Sequence, residues 1–180
     1  MSTRRSPIQA MLATAVGGIL SHDEKLVKLG LKGPALMAWL QQKDIGVPAA
    51  LHEVHSLSSD AVMARVDSDE VIVESMPDEP LRQQILTALE TPLPGLYRVP
   101  QQTVTFFLPR EEAGCLVLAQ ACGVNMTSVT PETIVLTRVA GVSCGLIAHS
   151  RPKARFRLWV DYTYAPYLWG QLSQITSELP

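Results

Sequence analysis

The sequence is poor in the features that usually announce chemistry. Cysteine is scarce: Cys115, Cys122 and Cys144 are the only three, odd in number and irregular in spacing. That pattern argues against a disulfide framework and points to a reducing, cytoplasmic compartment. Cys115 and Cys122 share one face of an expected helix and lack CxxC-type pairing, so they read as small buried hydrophobes rather than a zinc site. No charge of either sign dominates. Fifteen basic residues face 17 acidic ones, for a net charge of −2, which leaves no extended field for nucleic acid. The local basic tract Arg151, Lys153, Arg155 and Arg157 lacks the aromatic interleaving of a nucleic-acid groove and is expected to be a solvated loop and edge strand. Long hydrophobic runs are absent too. The apolar stretch from Ile8 to Leu20, behind Arg4 and Arg5, is diluted by Gln9, Thr14, Gly17 and Gly18 and falls short of a membrane span. It reads as an N-terminal arm, residues 1–25, that packs on the body or on a partner. No catalytic triad, metal cluster or phosphate loop is present.

What is there is apolar patterning. Apolar residues make up 47% of the chain, and the mean hydropathy is +0.14. The most informative stretch is Phe156 to Leu172, FRLWVDYTYAPYLWGQL. Phe156, Leu158 and Val160 alternate with Arg157, Trp159 and Asp161, the period of a strand with one buried face. At Asp161 the period changes. Ala165, Leu168, Trp169, Leu172 and Ile175 fall at helical spacing, Asp161 or Thr163 can cap the first turn, and Pro166 is tolerated there.

The same grammar appears twice. In the first half, Leu26–Leu31 reads as a strand, preceded by a polar, turn-like Ser21–Lys25. Gly33-Pro34 opens a helix that ends before Asp44-Ile45-Gly46. Strands are expected near Leu51–Leu57, Ala61–Val66 and Val71–Glu74, then a short helix carrying Leu81, Ile85 and Leu89. Thr91 to Pro100, TPLPGLYRVP, reads as a linker. In the second half, Thr103–Leu108 is a strand and Pro109–Gly123 a helix. Thr133–Arg138, Val142–Ala148 and Arg155–Val160 are strands, and a closing helix runs from about Tyr164 to Ser177. LGLKGPALMAWLQQKDIGV in the first half sits opposite FFLPREEAGCLVLAQACGV in the second. The expected class is α+β, as two repeated ferredoxin-like β/α halves. The divisions are an arm at 1–25, a first half at 26–90, a linker at 91–102 and a second half at 103–180.

LGLKGPALMAWL, MARVDSDEVIVE, TFFLPREEAGCLVLAQACGV, TRVAGV and FRLWVDYTYAPYLWGQL together resemble the gamma subunit of heterotetrameric sarcosine oxidase. More broadly they resemble the folate-binding domain of the glycine cleavage T protein, an aminomethyltransferase. The resemblance spans roughly Arg4 to Leu172. It implies a T-protein-like folate-binding fold whose halves surround a central groove, and tetrahydrofolate as the ligand of that groove. The T protein carries a catalytic aspartate in an Asp-rich N-terminal loop and a glutamate in an Arg-Thr-Gly-Tyr-Thr-Gly-Glu stretch. Here the second stretch is Arg138-Val139-Ala140-Gly141-Val142-Ser143-Cys144. Arg138 matches, Cys144 stands where the glutamate would be, and the first half has no Asp-Asp loop. A neutral thiol cannot accept paired hydrogen bonds from a pterin as a carboxylate does.

The ligand-groove candidates are therefore Arg138, Trp159, Tyr164 and Cys144, with no catalytic residue and no metal ligand assigned. Arg138 can contact an anion or serve as an ordinary ion-paired strand residue. Trp159 and Tyr164 can stack on a flat heterocycle, or serve core and interface. Cys144 as a nucleophile would need a base, and His149 lies past the end of the same expected strand. Two functions fit. One is a non-catalytic subunit or adaptor of folate-linked one-carbon or amine oxidation, docked on a larger oxidase-type subunit or assembled as a homo-oligomer. The other is a folate-dependent aminomethyltransferase or tetrahydrofolate-binding protein in its own right. Neither invokes nucleic acid or membrane.

Overall fold

The computed structural model describes residues 18–58, 60–149 and 154–179. Most of the expected N-terminal arm, and Arg151 and Lys153 of the basic tract, lie outside those residues. In chain order the elements are β1 (Ser21–His22), β2 (Val27–Lys32), α1 (Leu36–Gln42), β3 (Val54–Ser56), β4 (Val62–Asp67), β5 (Glu70–Ser75) and α2 (Pro80–Ala88). There follow β6 (Tyr97–Val99), β7 (Thr103–Pro109), α3 (Glu112–Ala121), β8 (Ile134–Val139), β9 (Val142–His149), β10 (Arg155–Asp161) and α4 (Ala165–Glu178). The chain divides into two compact units. One comprises Lys25–Gln101 with Glu132–Ile134, and the other comprises the rest of the described residues.

The unit built on Lys25–Gln101 has a five-stranded sheet in the order β3-β4-β5-β2-β6, with antiparallel neighbours throughout. Leaving aside the flanking β3, the succession β2-α1-β4-β5-α2-β6 is ferredoxin-like. Leu29 and Leu31 of β2 pack with Leu36, Trp39 and Leu40 of α1 and Ile85 of α2. Gly33, at φ +133°, turns the chain from β2 towards α1 against the carbonyl of Gly95, where a Cβ would have no room. Thr133 bridges Glu53 beside β3, with Val54 N–H donating to the Glu132 carbonyl at 2.7 Å and Ile134 N–H to the His52 carbonyl at 2.8 Å. The opposite face of the sheet carries an unexpected feature. Lys28 and Glu74 are cross-strand partners, their charged atoms 2.7 Å apart, with side chains only 3% and 0% exposed.

The second unit repeats this topology. Its sheet runs β1-β7-β10-β9-β8. The strands β7, β8, β9 and β10 take the places of β2, β3, β4 and β5, and α3 and α4 those of α1 and α2. The closing edge strand comes from β1, where Ser21 and His22 pair with Phe107 and Phe106. The segment expected to be a polar turn is thus a short strand, because the His22 ring docks edge-on to Phe106 at 6.1 Å and its Nδ1 lies 2.8 Å from the Thr105 carbonyl oxygen. The expected linker likewise holds a strand, β6, despite its three prolines. Those prolines flank Tyr97–Val99 and leave its backbone free to pair with β2. The core of this unit gathers Phe106, Leu108, Val117, Leu118, Phe156, Leu158, Leu168, Trp169 and Leu172. The Phe106 and Trp169 rings meet at 5.2 Å and 71°. The α+β architecture of two repeated β/α units is therefore the one the sequence led us to expect.

A further expectation is corrected. Arg155 and Arg157 do not lie on an edge strand, since β10 is paired on both sides, by β7 and β9. Arg157 is 1% exposed. Its guanidinium lies 5.2 Å from the centre of the Phe107 ring, and that of Arg155 4.1 Å from it. Charge in the sequence suggested water, but an arginine can lay its guanidinium over an aromatic face.

The Lys28–Glu74 pair makes a direct prediction. Glu74→Leu alone leaves Lys28 buried without its counter-charge and is expected to cost about 3–5 kcal/mol in urea denaturation. The double variant Lys28→Met/Glu74→Leu is expected to recover most of that loss. A neutral single variant would refute the pair's burial.

Candidate functional site

The four candidate groove residues all fall in the second unit, on or just after its sheet. Alternation along β10 sends Phe156, Leu158 and Val160 into the core, so Arg157 and Trp159 take the other face. Trp159 is 5% exposed and pairs with Thr105 on one side and Gly145 on the other. Arg138 lies on β8, the strand at the sheet's end. Its neighbours Val139 and Thr137 face inward: Val139 joins the core, and the Thr137 hydroxyl lies 3.6 Å from Cys122 Sγ. Arg138 is exposed on the opposite face, the one that carries Trp159.

A tight hairpin places it there. Ala140 and Gly141 both have positive φ, 47° and 81°. This is the two-residue type I′ geometry that matches strand twist. Such a turn sets Arg138 opposite Ser143 of β9, one row from the Gly145–Trp159 pairing. Arg138 and Trp159 thus share a face with β9 between them, about 10 Å apart laterally at standard strand spacing.

Cys144 does not join them. It pairs with Val160 of β10 and belongs to the core that the helices cover. Burial, with a smaller contribution from nearby Cys122 and against the opposing pull of a backbone hydrogen bond at Val139, pushes its thiol up to about 12. The neutral thiol is therefore the favoured form at neutral pH, which gives it little thiolate character. His149 is five residues along the same strand and therefore on the opposite face. Tyr164 lies beyond the strand, at the threshold of α4, and is 56% exposed. Its approach is ordered by Asp161, whose carboxylate accepts from Thr163 N–H at 2.8 Å and from the Thr163 hydroxyl at 2.5 Å. Those two bonds hold the Asp161 carboxyl below its usual range. Asp161 thus organises the turn, and makes no side-chain bond to the helix's own first N–H groups.

Among the described residues no group of three His, Cys, Asp or Glu side chains could hold a metal ion, and no helix is long and apolar enough to cross a membrane. What the arrangement offers a planar, anionic ligand is one exposed guanidinium and one buried indole on a shared face. The position that the resemblance assigns to a pterin-binding carboxylate holds a buried neutral thiol on the other face, and the fit to folate is incomplete there. Sequence reasoning missed two features, the buried Lys28–Glu74 pair and the burial of Arg157. Period-2 alternation separates the faces of a strand without saying whether the second face meets water.

Comparison with solved structures places the fold. The chain matches a chain of the heterotetrameric sarcosine oxidase from Corynebacterium sp. U-96, solved with pyrrole 2-carboxylate, at a TM-score of 0.78 and 20% identity. The match covers 97% of this chain and 95% of that one. The fold is that of the sarcosine oxidase chain. Aminomethyltransferase T of the glycine cleavage system from Bartonella henselae also matches, at a TM-score of 0.63 and 11% identity, over 85% of this chain. There the chain spans only 44% of the structure it matches. No protein-family model matches the chain, and comparison with curated proteins by sequence finds no match. The T-protein-like fold implied by the sequence motifs is therefore present.

The placement of Cys144 predicts its reactivity. In the native protein at pH 8 a thiol reagent is expected to modify half-buried Cys115 and to reach Cys144 only after denaturation. Because the folded thiol titrates above its ordinary value of 9.0, the unfolded chain releases its proton first as pH rises. Stability is then expected to be intact below pH 9 and to fall from pH 9 towards 12. Cys144→Val should flatten that fall. Rapid native labelling of Cys144 would contradict its place in the core.

Proposed function

We propose that this chain is a non-catalytic subunit of an assembly for folate-linked amine oxidation or one-carbon transfer, acting by docking on a larger oxidase-type subunit. The observation that carries this reading is the near-complete mutual coverage with one chain of a heterotetrameric oxidase. A chain that corresponds to a whole subunit of such an assembly, rather than to part of a self-sufficient transferase, has its natural place beside other subunits. The absence of a carboxylate at position 144 supports the same reading, because the buried thiol there offers a pterin no paired acceptor. The expected result is that the tagged chain, captured from its native host, brings down a larger subunit and that the complex oxidises sarcosine while the isolated chain does not. A stable monomer that recovers no larger subunit would overturn it.

The shared face of Arg138 and Trp159 favours a second reading, in which the chain itself binds a reduced folate. A fluorescence titration with 5-formyltetrahydrofolate, corrected for inner-filter absorption, separates the two. The reporters are Trp39, Trp159 and Trp169. The subunit reading predicts a flat titration. Saturable quenching in the micromolar range, about −8 kcal/mol, weakened several-fold by Arg138→Ala, would establish folate binding instead.

A further inference from the structure

We infer that Arg82 and Arg98, in the unit built on Lys25–Gln101, form a binding site for a small oxyanion, the carboxylate or phosphate group of a low-molecular-weight ligand. Arg82 lies in the first turn of α2 and is only 8% exposed. Ile85, one helical turn on, is in the core, so Arg82 lies on the face that α2 turns towards the sheet. Arg98 is the middle residue of the edge strand β6 and pairs with Leu31. The Leu31 side chain enters that same core, and directly paired residues project to one side of a sheet. Arg98 therefore projects on the face that α2 covers, and it is exposed there. The edge strand and the helix put both arginines on one face of the sheet, within range for the charge of Arg98 to act on Arg82.

Neither arginine is neutralised. The Arg82 Nη1 is buried and donates no hydrogen bond. Neither residue pairs with a carboxylate among the described residues, whose ion pairs include Lys28–Glu74, Lys32–Glu70 and His55–Glu53. All 17 aspartates and glutamates of the sequence lie among those residues, so no acidic side chain from elsewhere in the chain remains to fill the gap. Burial, with the positive charge of Arg98 added, pulls the Arg82 pKa down. A buried, charged donor without a partner is costly, and a like charge nearby adds to the cost. An oxyanion between the two would offset both. The planar guanidinium fork matches the two or three oxygens of a carboxylate or phosphate. Arg98 supplies the accessible entrance, and the little of Arg82 that is open suits a small group rather than a polypeptide. Arg138 and Trp159 belong to the other unit.

The test is thermal unfolding of the full chain in sodium phosphate, and separately in sodium succinate, each against sodium chloride at matched ionic strength. A saturable rise in Tm with at least one of the two is expected. The stronger anion identifies the group, phosphate or carboxylate. Arg98→Gln, at an exposed edge-strand position, is expected to weaken the apparent affinity at least tenfold. Arg82→Met is expected to abolish the rise while leaving Tm in chloride unchanged or higher, because it removes a buried charge. Should Arg82→Met fail to fold, Arg98→Gln decides, with calorimetric titration of the same anion as the readout. No rise beyond chloride, or an equal rise in Arg98→Gln, would overturn the proposal.

Discussion

Strand β10 is hydrogen-bonded along its length on both sides, and the rest of its unit depends on that double pairing. It faces β7 from Arg155↔Pro109 to Asp161↔Thr103, and β9 from Arg155↔His149 to Val160↔Cys144. A slip of one residue on either side would turn Arg157 and Trp159 into the helix-covered core and expel Phe156, Leu158 and Val160. Register is therefore held by apolar burial on one face, while the other face keeps the residues of chemical interest at fixed positions. The turn ordered by Asp161 then delivers the chain to α4, whose Trp169 closes the core against Phe106.

The same constraint separates candidates that look alike in the sequence. Arg138 and Cys144 lie close together in a segment that resembles a pterin-binding stretch, yet the Ala140-Gly141 hairpin puts them on opposite faces. One is solvated and charged, the other buried and protonated. A carboxylate at position 144 would have to be held in that apolar core, where its ionised form is unfavourable. A thiol is at home there. The buried thiol at position 144 therefore serves the packing of its unit.

The two units show how far a repeat can be preserved while its residues diverge. Each uses an opening strand, a helix, a hairpin and a second helix, and each completes its sheet with a short edge strand. The first takes that strand from the segment directly after α2. The second takes it from β1, far away in sequence, and in exchange residues 132–134 belong to the first unit. Local pairing rules are satisfied in both, because a sheet edge needs backbone donors and acceptors from any part of the chain.

The sequence by itself determined the periodic elements. Alternation in Val27–Lys32 and Arg155–Asp161, and helical spacing in Ala165–Glu178, follow from side-chain burial along a single segment and need no partner to be read. The motif resemblance likewise led to the fold. Tertiary structure alone decided three things. It made strands of Ser21–His22 and Tyr97–Val99, whose pairing partners are distant or whose composition favours turns. It buried Lys28, Glu74 and Arg157, because alternation tells the two faces of a strand apart but not what covers the second. It also sorted Arg138, Trp159 and Cys144 between faces and put Arg82 and Arg98 on one face of their sheet. Such relations depend on register between segments far apart in the chain, and no local pattern encodes them.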